Sequence, residues 1–238
     1  MPEEIEFPMR INKYLAHQNI CSRRKADELI VQGKVMLNGV KAKLGDKVNE
    51  EDKVEILGKE KMEEELFYLA FYKPAGVVTH NPQEGEEAIA DIIKFSGKIF
   101  PIGRLDKDSE GLIIMTNDGR ITDKLLNPDF YHEKEYIVGV DKEINQKFIK
   151  QISGGIQLDD DCRTRPCEVK KINPHSFSII LTEGKKHQIR LMCEKLGYTV
   201  VDLIRSRISN IQLNDLLPGK FRKIKGDELR ELMKQINM

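Results

Sequence analysis

The stretch Phe100–Gly119, FPIGRLDKDSEGLIIMTNDG, contains two apolar runs separated by a charged loop. The apolar runs predict two short β-strands, and the closing NDG predicts a turn. The loop between them contains Arg104, Asp106 and Asp108, each two residues from the next. It has two interpretations: a solvated connection, or a loop that presents a carboxylate at a sheet edge, where it can do chemistry.

The same alternation of short β-prone runs, turns and helical segments continues through the chain after residue 66. We predict strands at 67–73, 98–102, 112–116, 134–140, 165–172, 176–184 and 207–213, and helices at 88–95, 120–126, 145–152, 185–197 and 226–236. Because strands outnumber helices and the two do not alternate strictly, this pattern favours an α+β fold with a mainly antiparallel mixed sheet.

The N-terminal part of the chain has a different character. Although the 238-residue chain has zero net charge, the segment Arg10–Val48 has nine basic and three acidic residues. Such a local excess is the usual sign of phosphate binding, with an ordinary charged surface as the alternative. Ser22 can cap a helix that ends at Gly33, and Asn38-Gly39 predicts a hairpin turn.

Motifs that the sequence lacks exclude several classes of enzyme. Motifs for dinucleotides, the P-loop, serine hydrolysis and zinc proteolysis are missing from the sequence. The four cysteines form no CxxC pair, and the five histidines have no metal-ligand spacing. We therefore expect no cofactor and no metal. The apolar runs are too short to cross a membrane and the N-terminus has no secretion signal, so we expect a cytoplasmic protein.

Asp106 and Arg190 are the residues that most suggest catalysis. Arg190 lies in the helical segment KKHQIRLM among apolar residues, a setting in which an arginine needs an acidic partner. A pair with Asp106 would keep that carboxylate ionised as a nucleophile or base. A purely structural salt bridge is an equally good interpretation of the same residues.

The segment RINKYLAHQNICSRRKADELIVQGKVMLNGVKAKLGDKV resembles the αL RNA-binding module of a ribosomal protein and several RNA-modifying enzymes. The resemblance implies a helix–hairpin domain whose basic residues contact RNA phosphates without reading bases. The contacts expected from it are Arg10, Arg23, Arg24, Lys25 and Lys34.

The motifs KPAGVVTH, FPIGRLDKDSEGLIIMTNDG, HEKEYIV and EGKKHQIRLMCEKLGY, in this order, resemble pseudouridine synthases of the RsuA/RluB/RluE/RluF branch; with RSRI, the likeness is greatest to RluF. The resemblance implies isomerisation of uridine to pseudouridine in ribosomal RNA, that of the large subunit above all. The alternatives are a non-catalytic RNA-binding or ribosome-assembly protein and a tRNA-directed synthase. We expect a monomer.

The resemblance assigns roles to individual residues. Asp106 is implied as the catalytic carboxylate, Tyr136 as the ring that stacks on the flipped uracil, and Arg190 as the partner of Asp106. Leu203 is implied as an apolar residue packing the site, and Arg104 and Lys73 are added as RNA contacts. We expect an RNA-binding domain at 8–58, a charged linker at 59–66 and a catalytic domain at 67–238.

Overall fold

The computed structural model describes residues 6–18, 20–58, 65–159 and 162–238. The chain divides into two compact units. The smaller takes in the described residues of 1–66 together with Asp118–Asp123, and the larger comprises Phe67–Asn117 and Lys124–Met238. Most of the predicted linker, residues 59–64, lies outside the described residues.

The smaller unit packs two helices on short strands. Its elements are β1 (Met9–Arg10), α1 (Ile11–His17), α2 (Arg23–Val31), β2 (Val35–Leu37), β3 (Val40–Lys41), β4 (Lys47–Val48) and β5 (Val54–Ile56). Strand β2 pairs antiparallel with β3 and β5, and β1 pairs with β4. Both helices bury their apolar face in one core, which includes Ile11, Leu15, Ala26, Leu29, Ile30 and Val35.

Two local predictions for this unit are confirmed. The Ser22 hydroxyl accepts a hydrogen bond from the backbone N–H of Lys25 and caps α2, and Gly33 follows the helix with φ of +67°. Asn38 and Gly39 have φ of 51° and 78°, the left-handed pair that a two-residue hairpin turn requires.

The larger unit contains the remaining elements, except that the helix Ile121–Leu126 begins in the smaller unit and ends in the larger one. They are β6 (Tyr68–Lys73), α3 (Ile89–Ile92), β7 (Phe100–Ile102), β8 (Glu110–Thr116), α4 (Ile121–Leu126), a 3₁₀ helix (Pro128–Phe130), β9 (Lys134–Val140), α5 (Gln146–Ser153), β10 (Gln157–Asp159), β11 (Cys162–Arg163), β12 (Glu168–Asn173), β13 (Ser176–Leu181), α6 (Gln188–Lys195), β14 (Val200–Ile208), β15 (Ile211–Gln212), β16 (Phe221–Lys223) and α7 (Gly226–Gln235). Among the described residues, no helix has the length and apolar character needed to span a membrane.

One mixed sheet organises the larger unit. In the described residues its strands run in the order β12-β13-β9-β14-β8-β6-β16, with β15 added to β14 and β7 added to β8. The pair β14–β8 is parallel, and the other pairs in this sheet are antiparallel. The predicted α+β fold with a mainly antiparallel mixed sheet is confirmed.

The parallel pair joins two halves of the sheet, and each half has its own apolar cluster. Strands β9, β13 and β14 pack with α5 and α6 around residues such as Val138, Phe177 and Met192. Strands β6 and β8 pack around residues such as Phe71 and Ile113. The seam between them consists of the register pairs Ile204–Glu110 and Arg205–Gly111.

A single register row crosses this seam. In this row each residue is the direct cross-strand partner of the next. The residues are Lys73 on β6, Gly111 on β8, Arg205 on β14, Tyr136 on β9, Ile179 on β13 and Val169 on β12. The backbone approach is tightest at Gly111: a Cβ there would lie 2.4 Å from the carbonyl oxygen of Arg205 and 2.6 Å from its nitrogen, and φ is +112°. The seam therefore requires glycine at this position.

Two element predictions are wrong in their extent. The strand predicted at 207–213 is the end of the longer β14, which stops at a turn where Ser209 has φ of 54° before β15 begins. Polar residues along 202–207 interrupt the apolar pattern that marks a strand. The helix predicted at 88–95 is limited to Ile89–Ile92 because Ile93 is extended.

The close backbone approach at Gly111 lets us predict how a methyl group at this position changes stability. Gly111→Ala should lower the free energy of unfolding by more than the roughly 1–3 kcal/mol of a strained backbone alone, because the new Cβ also meets backbone atoms that cannot rotate away. Urea unfolding of the whole chain measures this loss.

Gly219→Ala is the matched control, since Gly219 has φ of +75° but no atom within 4 Å of an added Cβ. Equal losses in the two variants would show that the close approach across the seam contributes nothing.

Candidate active site

A cleft of about 890 Å³ opens on the larger unit. It brings together four of the predicted site residues from three separate parts of the chain: Arg104, Asp106, Tyr136 and Leu203. Within the described residues, no group of three or more His, Cys, Asp and Glu side chains is placed to hold a metal ion.

The loop that carries Asp106 is held by its backbone. The carbonyl oxygens of five consecutive residues, from Arg104 to Asp108, each accept a hydrogen bond. The Arg104 carbonyl accepts from Arg205 Nη1 at 3.5 Å, and the Leu105 carbonyl accepts from Thr79 Oγ1 at 2.8 Å. The Asp106 carbonyl accepts from Ser109 N at 3.1 Å. The Lys107 carbonyl accepts from Gly76 N at 2.8 Å and Lys73 Nζ at 3.2 Å, and the Asp108 carbonyl accepts from Arg190 Nη2 at 3.2 Å. Donors from distant elements therefore fix the loop, and the Asp106 carboxylate is left pointing to the cleft with its side chain 41% exposed.

Lys73 is one of these donors, and its position corrects the prediction that it contacts RNA. The residue has no exposed surface, and its ammonium donates to the carbonyl oxygens of Pro74, Val77 and Lys107 at 2.9, 2.7 and 3.2 Å. Burial lowers the pKa of Lys73 to about 8, against the opposing effect of nearby carboxylates. Lys73 stabilises the KPAG turn from inside and is out of reach of an RNA backbone.

Arg190 does not form the predicted pair with Asp106. Its guanidinium donates to the carbonyl oxygens of Asp108 and Val200 at 3.2 and 3.3 Å, and lies 3.5 Å from Ser109 Oγ. The group that does approach the carboxylate is His187, whose Nε2 lies 3.5 Å from Asp106 Oδ1. Arg190 therefore contacts the backbone of the loop and not its carboxylate.

Tyr136 and Leu203 reach the cleft from paired strands. Tyr136 on β9 lies opposite Arg205 on β14, and Val138 lies opposite Leu203, so alternation puts all four on one face of the sheet. Tyr136 packs against both apolar clusters of the sheet. A planar ring and an apolar side chain thus line the cleft that holds the carboxylate, an arrangement suited to a flat heterocycle.

Sequence reasoning missed Arg205, the buried arginine of the site. It is 4% exposed, donates from Nε to the Leu112 carbonyl oxygen at 2.7 Å, and lines the cleft. Arg207, two residues later, faces the other side and bonds to Glu133 and Glu135, each at 2.9 Å. Period-two alternation from Leu203 could have indicated the inward position of Arg205, had β14 been predicted at its full length.

The loop before α6 was also missed. Glu183, buried, accepts hydrogen bonds from the backbone N–H of Arg165 at 2.9 Å and from Gln188 Nε2 at 2.8 Å. Gln188 in turn accepts from the backbone N–H of Lys185 at 3.0 Å. His187, between them, has φ of 53°. This network sets the loop conformation that brings His187 to Asp106.

In the smaller unit, the predicted RNA contacts Arg10, Arg23 and Arg24 are exposed, and Lys25 and Lys34 are partly exposed. Arg10 and Arg23 line one recess of about 460 Å³ together with Lys13 and Glu6. Lys25 Nζ lies 3.4 Å from Glu28, a surface pair of little energetic weight. The structure therefore brings Arg10 and Arg23, two of the predicted RNA contacts, to one recess and leaves both exposed to solvent.

Comparison with protein families assigns both units. Residues 67–195 match the RNA pseudouridylate synthase family, and residues 9–54 match the S4 domain. The first match covers more than half of the chain, and it contains the loop of Asp106 and the strand of Tyr136.

Individual relatives extend the likeness to nearly the whole chain. The dual-specificity RNA pseudouridine synthase RluF of Escherichia coli is 43% identical over 231 residues, which are 96% of this chain and 79% of that protein. The ribosomal large subunit pseudouridine synthase B of Bacillus subtilis is 34% identical, over 94% of this chain and 95% of that protein. A crystal structure of a pseudouridylate synthase, 26% identical, superimposes with a TM-score of 0.71 over 94% of this chain and 99% of its own. The chain therefore belongs to the RsuA branch of the RNA pseudouridine synthase family, with an S4 domain at its N-terminal end.

Proposed function

We propose that this chain isomerises specific uridines to pseudouridine in ribosomal RNA, that of the large subunit, with Asp106 as the catalytic carboxylate. The observation that carries the proposal is the loop of Asp106. Its five consecutive carbonyls all accept hydrogen bonds, four of them from distant donors, while its carboxylate faces a cleft lined by Tyr136 and Leu203. The choice of RNA is supported by the name of the Bacillus relative, a ribosomal large subunit enzyme.

The reaction fits such a site. It breaks the bond from C1′ to N1, turns the uracil and forms a bond from C1′ to C5, with no net oxidation or reduction. The base must first leave its stack, at a cost of a few kcal/mol that is lowest in loops and bulges. In this proposal Tyr136 stacks on the flipped uracil, Leu203 packs beside it, and Arg104, exposed at the cleft, displaces the base from the helix.

The proposed role of Arg190 differs from the one that the family resemblance implies. Its bonds to Asp108 and Ser109 orient the loop, so that Arg190 acts on Asp106 through the backbone.

The smaller unit supplies affinity in this scheme. Its exposed cations Arg10, Arg23 and Arg24, with Lys25 and Lys34, bind phosphates and position the RNA without reading its sequence. We place the domain boundaries at residues 58 and 67, and an rRNA substrate would put the protein in the cytoplasm. The monomeric state stays a prediction, which sedimentation equilibrium can check.

Asp106→Asn tests the catalytic assignment with almost no change in shape. Loss of the charge should lower the rate of tritium release from RNA labelled at uracil C5 by at least about 10²–10⁴-fold while RNA binding persists, because the carboxylate starts the reaction. Ribosomal RNA, tRNA and assembled subunits are compared as substrates.

Asp108→Asn is the matched control, since that carboxylate lies in the same loop and only its backbone is held by Arg190. Near-normal release by Asp106→Asn, or equal losses in both variants, would refute the assignment. Release from tRNA alone would favour the tRNA-directed alternative. A wild-type chain that binds RNA tightly without any release would favour the non-catalytic one.

Arg23→Ala combined with Arg24→Ala tests the role of the smaller unit. Affinity should fall, and the slope of log affinity against log salt should become shallower by about 0.7–0.9 for each lost phosphate contact. Lys53→Ala serves as the control, because it removes one exposed positive charge from the same unit but Lys53 is not among the predicted RNA contacts. An unchanged slope in the double variant would mean that these arginines do not bind RNA.

A further inference from the structure

Lys134 and Arg205 form a pair of cations beside Tyr136. Lys134 precedes Tyr136 by two residues on β9, and Arg205 is the cross-strand partner of Tyr136 on β14, so all three lie on one face of the sheet. All three line the cleft that contains Asp106. The two cations are therefore placed around the ring proposed to stack on the uracil.

Neither cation has an acidic partner within salt-bridge distance among the residues that the structure describes. Lys134 Nζ lies 3.5 Å from the His132 carbonyl oxygen. Arg205 donates to the carbonyl oxygens of Leu112 and Arg104. In the described part of the chain, Arg205 Nη2 is buried without a hydrogen-bond partner. Arg207 on the same strand, by contrast, bonds to two glutamates.

Two desolvated cations side by side are costly. Burial, and then the charge of Arg205, lowers the pKa of Lys134 to about 8. Buried charges are ordinarily paired with an opposite charge or neutralised, and exceptions gather at sites where charge is used. We therefore expect the substrate to supply the negative charge that pairs with Lys134 and Arg205.

We propose that Lys134 and Arg205 form a cationic site for the negative charge that develops on the carbonyl oxygens of the uracil ring during isomerisation. This inference rests on the proposed function. It makes Lys134 and Arg205 catalytic residues in addition to Asp106, because they would touch the reacting base.

Both chemical routes put negative charge on those oxygens. If Asp106 adds to C6, the electrons of the C5–C6 double bond move through C4 to O4. If the bond from C1′ to N1 breaks first, its electron pair stays on N1 and is shared with O2 and O4. On either route the bond from C1′ to N1 breaks, C5 bonds to C1′, the hydrogen on C5 leaves as a proton, and N1 ends with a proton. On the first route, loss of the C5 proton also re-forms the C5–C6 double bond and releases the Asp106 carboxylate from C6. Preorganised donors aimed at such charge are among the strongest sources of catalysis.

A backbone phosphate is the competing ligand for these cations. The depth of Arg205, 4% exposed, argues against it, because phosphates stay at the rim while a flipped base enters the cleft. Lys186, exposed and lining the same cleft, is better placed for a phosphate.

Lys134→Met tests the inference, since methionine keeps most of the length of the side chain and removes the charge. At saturating RNA, kcat for tritium release should fall about 10²-fold, as for loss of one oxyanion donor, while KM and RNA affinity stay close to wild type. The melting temperature should not fall, because the lowered pKa shows that the fold disfavours the charged form. A purely structural lysine would give the opposite pattern, a less stable protein with its kcat retained.

Lys186→Met removes the same charge from the same cleft and should act on KM with kcat retained. If Lys134→Met likewise changes KM alone, the cations bind phosphate and the proposal is wrong. If wild-type protein releases no tritium from any RNA, the proposed function itself fails and the inference falls with it.

Lys134→Arg provides a second readout. The charged groups that bear on Lys134 are Arg205 on β14 and His132 just before β9. In the wild type, kcat should decline as the pH rises through about 8 and Lys134 loses its charge, whereas the arginine variant should keep its rate. Lys73 has a pKa of about 8 as well, but it is the same in both proteins, so it cannot produce a difference between the profiles. Identical profiles would contradict the proposal.

Discussion

The rest of the catalytic unit depends on the backbone contact between Gly111 on β8 and Arg205 on β14. This parallel pair joins two sheet halves that otherwise have separate apolar clusters. The carboxylate of Asp106 belongs to one half, and Tyr136 and Leu203 belong to the other. The site therefore comes into existence only when the seam closes, and the absence of a side chain at residue 111 is what lets it close. Folding of the sheet and assembly of the site are one event.

Charge is distributed in an unusual way around this seam. Lys73 and Arg205 are buried, yet their donors meet backbone carbonyls rather than carboxylates. A cation that donates to carbonyls has no opposite charge beside it to cancel its field, so its charged form projects a positive potential into the cleft. The Asp106 carboxylate thus stays available for chemistry, while the surrounding cations hold the backbone of its loop. A carboxylate paired directly with a buried arginine would have part of its reactivity taken up by that partner.

Local features of this protein and the sheet type could be predicted from sequence patterns, and the resemblance named four residues that line the cleft. The long-range partners of Arg190 and Lys73 could not be predicted. The Ser22 cap, the Asn38-Gly39 turn and the strand at 134–140 each depend on neighbouring residues alone. The partner of Arg190 depends on which backbone atoms the fold brings to it from about eighty residues away. The burial of Lys73 depends on a loop thirty-four residues further along the chain. Such contacts follow from strand register, which no single segment encodes.

Most of the hydrogen bonds that shape the loop of Asp106 come from residues that are not part of it. Its carbonyls are held by Thr79, Gly76, Lys73, Arg190 and Arg205, whereas the side chains of Lys107 and Asp108 have no share in these bonds. Backbone acceptors are common to all amino acids, so these hydrogen bonds do not depend on which side chains stand at 107 and 108. A different side chain at 108 would therefore change the surface beside the cleft without removing the bonds that hold Asp106 in place, so the surface and the position of the carboxylate have separate structural determinants.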